Sequence, residues 1–138
     1  MTTKIDAAEF AKRLEALCTR GMGREWPRKQ PDHEVLLKSV ALMLEEGRNY
    51  DEGALKEPLE AWCQGPGQAI ITDHVTLRRY LVDAGYLQRD AAGSTYRLDA
   101  QKAAEGFAPD VEALDPAAIV AQALQEREER KRAFMKKQ

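Results

Sequence analysis

Arg78 and Arg79 stand side by side in the run Thr-Asp-His-Val-Thr-Leu-Arg-Arg-Tyr-Leu-Val-Asp, and Arg89 and Arg97 follow at short intervals. A guanidinium offers a rigid fork of N–H donors that suits phosphate oxygens and the O6/N7 edge of guanine. On a helix turning about 100° per residue, Arg79 projects opposite the stripe of Leu77, Leu81 and Ala84, and Arg78 projects to one side of it. His74 and Thr76 add polar groups at the start of the same helix. His74, Thr76, Arg78, Arg79, Arg89 and Arg97 are therefore the candidate contacts to duplex DNA, with the last two on a hairpin that reaches backbone. Each has a plainer reading. Arg78 suits an ion pair with Asp83 or with a carboxylate on another helix, and the hairpin arginines suit ordinary solvated charge.

Other chemistry finds less support. His33, His74, Cys18 and Cys63 are the soft-metal ligand types, and no two have close ligand spacing, so no metal site is expected. The cysteines are expected as free thiols. Gln64-Gly65-Pro66-Gly67-Gln68 is glycine-rich but lacks the lysine and helix of a phosphate-binding loop. No nucleophile–base–orienter set can be named, so neither catalytic residues nor cofactors are expected. Trp26, among Arg24, Arg28 and Lys29, suits either stacking on a base or stapling a linker to the core, the second being the commoner use. Val75 and Val82 also face outward on the arginine helix, which suits a covering protein surface better than thymine methyls.

The elements that must hold these residues follow from periodicity. Phe10, Leu14 and Leu17 mark a first helix over 6–19, stopped near Gly21 and Gly23. A basic linker with two prolines leads to a second helix capped by Asp32, with Val35, Leu36, Val40, Met43 and Leu44 as its stripe. Leu55, Leu59 and Trp62 mark a third over 51–63, where Pro58 implies a kink or a late start. The fourth begins at Thr72 or Asp73 and stops at Gly85. Strands are expected over 86–89 and 95–98 around a turn at 90–94. An acidic linker follows, and Asp115-Pro116 opens a last helix reaching Met135. Its stripe of Ile119, Val120, Ala123 and Leu124 gives way to an all-charged run.

The chain has 138 residues and a net charge of −2, from 21 Lys and Arg against 23 Asp and Glu. No broad positive field draws in nucleic acid, so any DNA contact has to be local. No apolar run approaches the roughly 20 residues of a membrane span. The first ten residues lack a secretory signal, and a cytoplasmic location is expected.

Tyr50, Leu55 and Leu59, then Asp73-His74, Leu77-Arg78-Arg79, Leu81-Val82-Asp83, Gly85, Leu87, Arg89, Gly93 and Tyr96, resemble the bacterial family catalogued as domain of unknown function 2087. The likeness runs over about residues 38–98. The resemblance implies a winged-helix domain of the kind labelled as a transcriptional regulator, and it supplies no catalytic residue. Two departures, Ala54-Leu55-Lys56 in place of a usual Glu-Val-Asn and a longer loop at 64–71, lie between the second and third helices of the motif.

The expected fold is mainly α with a small β-hairpin, a winged helix-turn-helix with extra N- and C-terminal helices. Residues 1–30 form a helix and basic linker, 31–99 the winged-helix domain, and 100–138 an acidic linker and charged helix. The expected core is Leu36, Val40, Leu44, Leu55, Leu59, Trp62, Leu77, Leu81, Leu87 and Leu98. The expected function is DNA binding as a homodimer, with the Phe10/Leu14/Leu17 and Ile119/Val120/Leu124 stripes as candidate dimer surfaces that suit packing on their own domain equally well. The alternative is a protein-interaction module whose arginine helix is covered. Exposure of Val75, Arg79 and Val82 discriminates between the two.

Overall fold

The computed structural model describes residues 4–136. Its elements run α1 (Ala7–Cys18), α2 (Gln30–Ala41), β1 (Asn49–Asp51), α3 (Glu52–Gln64), α4 (His74–Asp83), β2 (Leu87–Arg89), β3 (Thr95–Leu98), α5 (Ala100–Ala104), a 3-10 turn (Pro109–Ala113) and α6 (Pro116–Lys136). The protein is mainly helical with a small antiparallel sheet, as the periodicities imply.

Aspartates set most of the helix starts. Asp6, Asp51, Asp73 and Asp99 each accept a hydrogen bond from the backbone N–H three residues on, which satisfies a donor the first turn leaves orphaned. Helix α2 departs from expectation. Its cap is Lys29, with no side-chain hydrogen bond, and Asp32 lies inside the first turn. Pro31 explains the earlier start, because its fixed φ and missing N–H suit the first turn of a helix. Pro58 does not delay α3, which runs unbroken through it from the Asp51 cap.

The sheet has three strands in the order β1-β3-β2, one more than the expected hairpin. Tyr50 of β1 pairs with Tyr96 of β3, and Tyr96 pairs in turn with Arg89 of β2. Cross-strand partners share a face, so Tyr50, Tyr96 and Arg89 look one way. Asn49, Arg97 and Gln88 look the other way by the same register.

One apolar cluster extends from Phe10 to Val120 and draws on every helix and on the sheet. Of the expected core, Leu98 is the exception, only half-buried at the end of β3. At the centre, Trp62 is fully buried and its Nε1 donates to Ser39 Oγ at 2.9 Å, while Ser39 donates to the Leu36 carbonyl at 2.6 Å. Lys38 is also buried, ion-paired with Glu112 and lying 5.5 Å from the Phe107 ring centre.

The terminal apolar stripes are used within the chain. Helix α1 packs on α6 and on α2, with Phe10, Leu14 and Val120 buried and Leu17, Ile119 and Leu124 partly so. Of the two uses open to these stripes, packing on their own domain is the one seen. The acidic linker also proves to be structured. α5, the 3-10 turn and the link between them carry Ala103, Val111 and Phe107 into the core, and Phe107 meets Phe10 edge-on at 5.9 Å.

Candidate nucleic-acid interface

Helix α4 presents one face to the core and the other to solvent. Leu77 and Leu81 are fully buried. Asp73 fixes where the helix begins, its Oδ1 accepting from Thr76 N–H at 2.7 Å. That hydrogen bond, donated to the ionised carboxylate, holds the Asp73 pKa below its ordinary value. Thr76 is thereby tied into the cap. His74 leans towards α3, its Nε2 lying 3.9 Å from Glu60 Oε1.

On the outer side, Val75 is 50 % exposed, Arg79 is exposed and Val82 is half-buried. These residues, with Arg78, Asp83, Arg89 and Tyr96, line a concavity of about 360 Å³ between α4 and the β2–β3 hairpin. Tyr96 lies between two of its arginines, with the Arg78 and Arg89 guanidinium carbons each 5.6 Å from the ring centre. Arg79 flanks the other edge of α4, 5.8 Å from the Tyr80 ring. Arg78, Arg79 and Arg89 therefore converge on one groove.

Arg78 is not free of partners. Its Nη1 donates to Glu52 Oε1 at 2.8 Å, so its ion pair reaches across to α3 rather than to Asp83. Glu52 is a residue that the sequence did not single out, being 26 positions away. Arg97 stands apart from the groove, on the sheet face opposite Tyr96.

The hairpin tip is organised by Asp90, another residue that sequence reading passed over as part of a turn. Its carboxylate accepts from Ser94 N–H at 2.7 Å, Thr95 N–H at 3.2 Å and Ser94 Oγ at 3.0 Å. These donors, the Thr95 N–H foremost, pull its pKa down to about 2. Gly93 takes φ +71°, and a side chain there would crowd the Arg89 guanidinium at 3.1 Å. Arg89 in turn donates to the Gly93 carbonyl from Nε and Nη2, each at 3.3 Å. The turn thus holds the arginine that edges the groove.

Trp26 is the staple rather than a stacking platform. Its Nε1 donates to His33 Nδ1 at 2.8 Å, and its ring lies 6.0 Å from Trp62 and 5.1 Å from Tyr80. The linker also pairs with the 65–71 loop, Arg24 N–H donating to the Ala69 carbonyl at 2.9 Å and Ile71 N–H to the Arg24 carbonyl at 2.7 Å. Both cysteines are free thiols, Cys18 buried and Cys63 half-buried. Among the described residues no three His, Cys, Asp or Glu side chains converge as a metal would need. No helix there is long and apolar enough to cross a membrane.

The model of a family described as an uncharacterized protein conserved in bacteria, DUF2087, matches residues 24–98, more than half of the chain. The chain belongs to the DUF2087 family. The match begins earlier than the sequence likeness alone indicates, at Arg24, and so takes in the Trp26–His33 staple. All of the groove lies within the DUF2087 region, whereas α1 and α6 lie outside it. Comparison with curated proteins and with solved structures gives no match.

Proposed function

We propose that this DUF2087 protein binds duplex DNA as a winged-helix regulator of transcription. The observation that carries the reading is the open outer face of α4, continuous with the hairpin and edged by Arg78, Arg79 and Arg89. Among the described residues Val75 and Arg79 stay exposed and Val82 is half-buried, which favours the DNA reading over one in which the chain's own helices cover α4. The order α2, β1, α3, α4, β2, β3, with β1 closing on β3, agrees with a winged helix. In this reading α4 enters the major groove and Arg89 on the wing grips backbone phosphate. Arg97 faces away and drops out of the contact set. His74 and Thr76 serve the helix start. A homodimer on a two-fold site doubles the contacts of so small a groove, and a DNA target implies a cytoplasmic protein.

The test is fluorescence anisotropy with a pool of duplexes between 50 and 200 mM salt, and light scattering on the same sample for mass. With about two phosphates neutralised per protomer, by Arg79 and Arg89 while Glu52 holds Arg78, each protomer should contribute about −1.8 to the slope of log affinity against log salt. Arg79→Ala should weaken binding and remove about half of that slope. A protein that binds no duplex at low salt refutes the reading and assigns the groove to a protein partner.

A further inference from the structure

A second cavity, of about 390 Å³, lies outside the DUF2087 region's groove, where the end of α1, the 65–71 loop and the middle of α6 meet. Its size falls within the range of small-molecule sites. Its floor is apolar, formed by Cys18, Ala69 and Leu124, with the exposed Met22 as an outer lip. Burial holds the Cys18 thiol protonated, its pKa pushed up to about 12, so the sulfur adds no negative charge to that floor.

The rim is cationic. Arg127 and Lys131 lie one turn apart on α6, both lining the cavity. Neither forms an ion pair among the described residues. The one carboxylate on the rim, Glu128, is engaged by Arg132 Nε at 3.6 Å. Arg127 is aimed by Thr19, whose Oγ1 donates to the Glu15 carbonyl at 2.6 Å and accepts from Arg127 Nη1 at 3.4 Å. A guanidinium oriented beside an ammonium, above an apolar floor, is complementary to an anionic head on an apolar body.

We propose that this cavity binds a small monocarboxylate with an apolar tail, the carboxylate on Arg127 and Lys131 and the tail over Cys18, Ala69 and Leu124. Its position connects it to α4. The cavity is lined by Gly21 and Met22 from the segment after α1 and by Gln68 and Ala69 from the 65–71 loop. Those two segments are joined just beyond the cavity by the Arg24–Ile70 bridge, and Ile71 leads through Thr72 to Asp73, the cap of α4. A ligand wedged between the walls bears on the residues that fix the start of α4. The site is thus the effector site of the DNA-binding protein proposed above, and only this last step rests on that proposal.

The test uses the whole protein with octanoate and 4-phenylbutyrate as probes, and octanol and octylamine as neutral and cationic controls. Calorimetry without DNA should show one site for the carboxylates and at least tenfold weaker binding of both controls. Arg127→Gln should weaken carboxylate binding at least tenfold, and Arg127→Lys should restore part of it. Leu124→Trp, which fills the tail space, should abolish binding, and it keeps the test decisive if the Arg127 variant fails to fold. Amide hydrogen exchange across 69–76 should slow when octanoate is bound. Equal binding of octanol, unchanged binding in both variants, or no binding of either carboxylate overturns the site. Binding with unaltered exchange at 69–76 overturns the link to α4. None of these readouts uses DNA, so failure of the DNA reading is scored separately.

Discussion

Replacing Glu52 by Gln should strengthen DNA binding, because the carboxylate occupies the hand that would hold a phosphate. Arg78 and Glu52 meet at 2.8 Å, with the arginine side chain 23 % exposed and the glutamate 72 %. So exposed a pair stabilises the fold by only about 0.2–1 kcal/mol. Glu52 also sits in the first turn of α3, where a negative charge contributes a further ~0.3–1 kcal/mol through the helix dipole. The substitution should therefore cost at most about 1–2 kcal/mol of stability, a fall in Tm of several degrees. Its effect on binding has the opposite sign. A phosphate about 6 Å from the carboxylate feels a repulsion of roughly 0.7 kcal/mol in water, and it must compete for Arg78 as well. Removing both terms is worth about 1 kcal/mol or slightly more, a gain of roughly fivefold to tenfold in affinity. The salt dependence should steepen at the same time, because Arg78 then releases a counterion of its own, adding about 0.9 to the slope. Anisotropy titrations of the two proteins at four salt concentrations measure both quantities. Equal affinity and equal slope in the variant would refute the placement of Arg78 against phosphate, whatever the wild-type protein binds.

Three further outcomes test the fold that holds the groove. A Cβ at Gly67 would lie 2.1 Å from Cζ3 of the fully buried Trp62. Gly67→Ala should therefore destabilise by about 1–3 kcal/mol through overpacking, read as a lower Tm. Ser39→Ala leaves the buried Trp62 N–H without its acceptor and should cost about 1–3 kcal/mol, seen as a lower urea midpoint at unchanged slope. His33 has its pKa lowered, chiefly because burial disfavours the imidazolium, with Glu34 partly opposing. Its unfolded form binds the proton more readily, so the stability it contributes is present above about pH 6.5. That contribution is lost as pH falls through the lower folded value. Protonation also ends acceptance of the Trp26 N–H. Tryptophan emission and urea midpoint should shift together below pH 6.5, and a His33→Gln variant should lose that pH dependence.

Legibility in the sequence followed the length of each element. Helix α4 carried a capping aspartate, buried leucines four apart and a terminal glycine, and each signal marks the position the structure shows. Strand β1 is three residues with a single inward tyrosine, too few to display a period of two. Helix α5 spans five residues, and its Asp99 cap resembles any polar turn. Of the groove, Arg78, Arg79 and Arg89 were readable as arginines off the core face, but the placing of Arg78 and Arg89 about Tyr96 depends on sheet register. Strand parity alone separates Arg97 from them, since neighbours on a strand face opposite ways. The partner of Arg78 was not readable at all. Glu52 reaches it only through the packing of α3 on α4, a contact between residues too distant in the chain for any local pattern.

The packing of α1 on α6 has a consequence for how the protein comes to exist. Arg127 and Thr19 touch across 108 positions, and Ala7 and Asp110 across 103. During vectorial synthesis α1 can meet α2 early, but its packing on α6 waits until nearly everything between them has been made. The DUF2087 region between them contains its own sheet and three helices, α2, α3 and α4, and meets most of its partners early. Closure of the two outer helices is then a late, long-range event with a large loop-entropy cost. Until then the apolar residues of α1 that α6 covers stay open to mispairing and to chaperones.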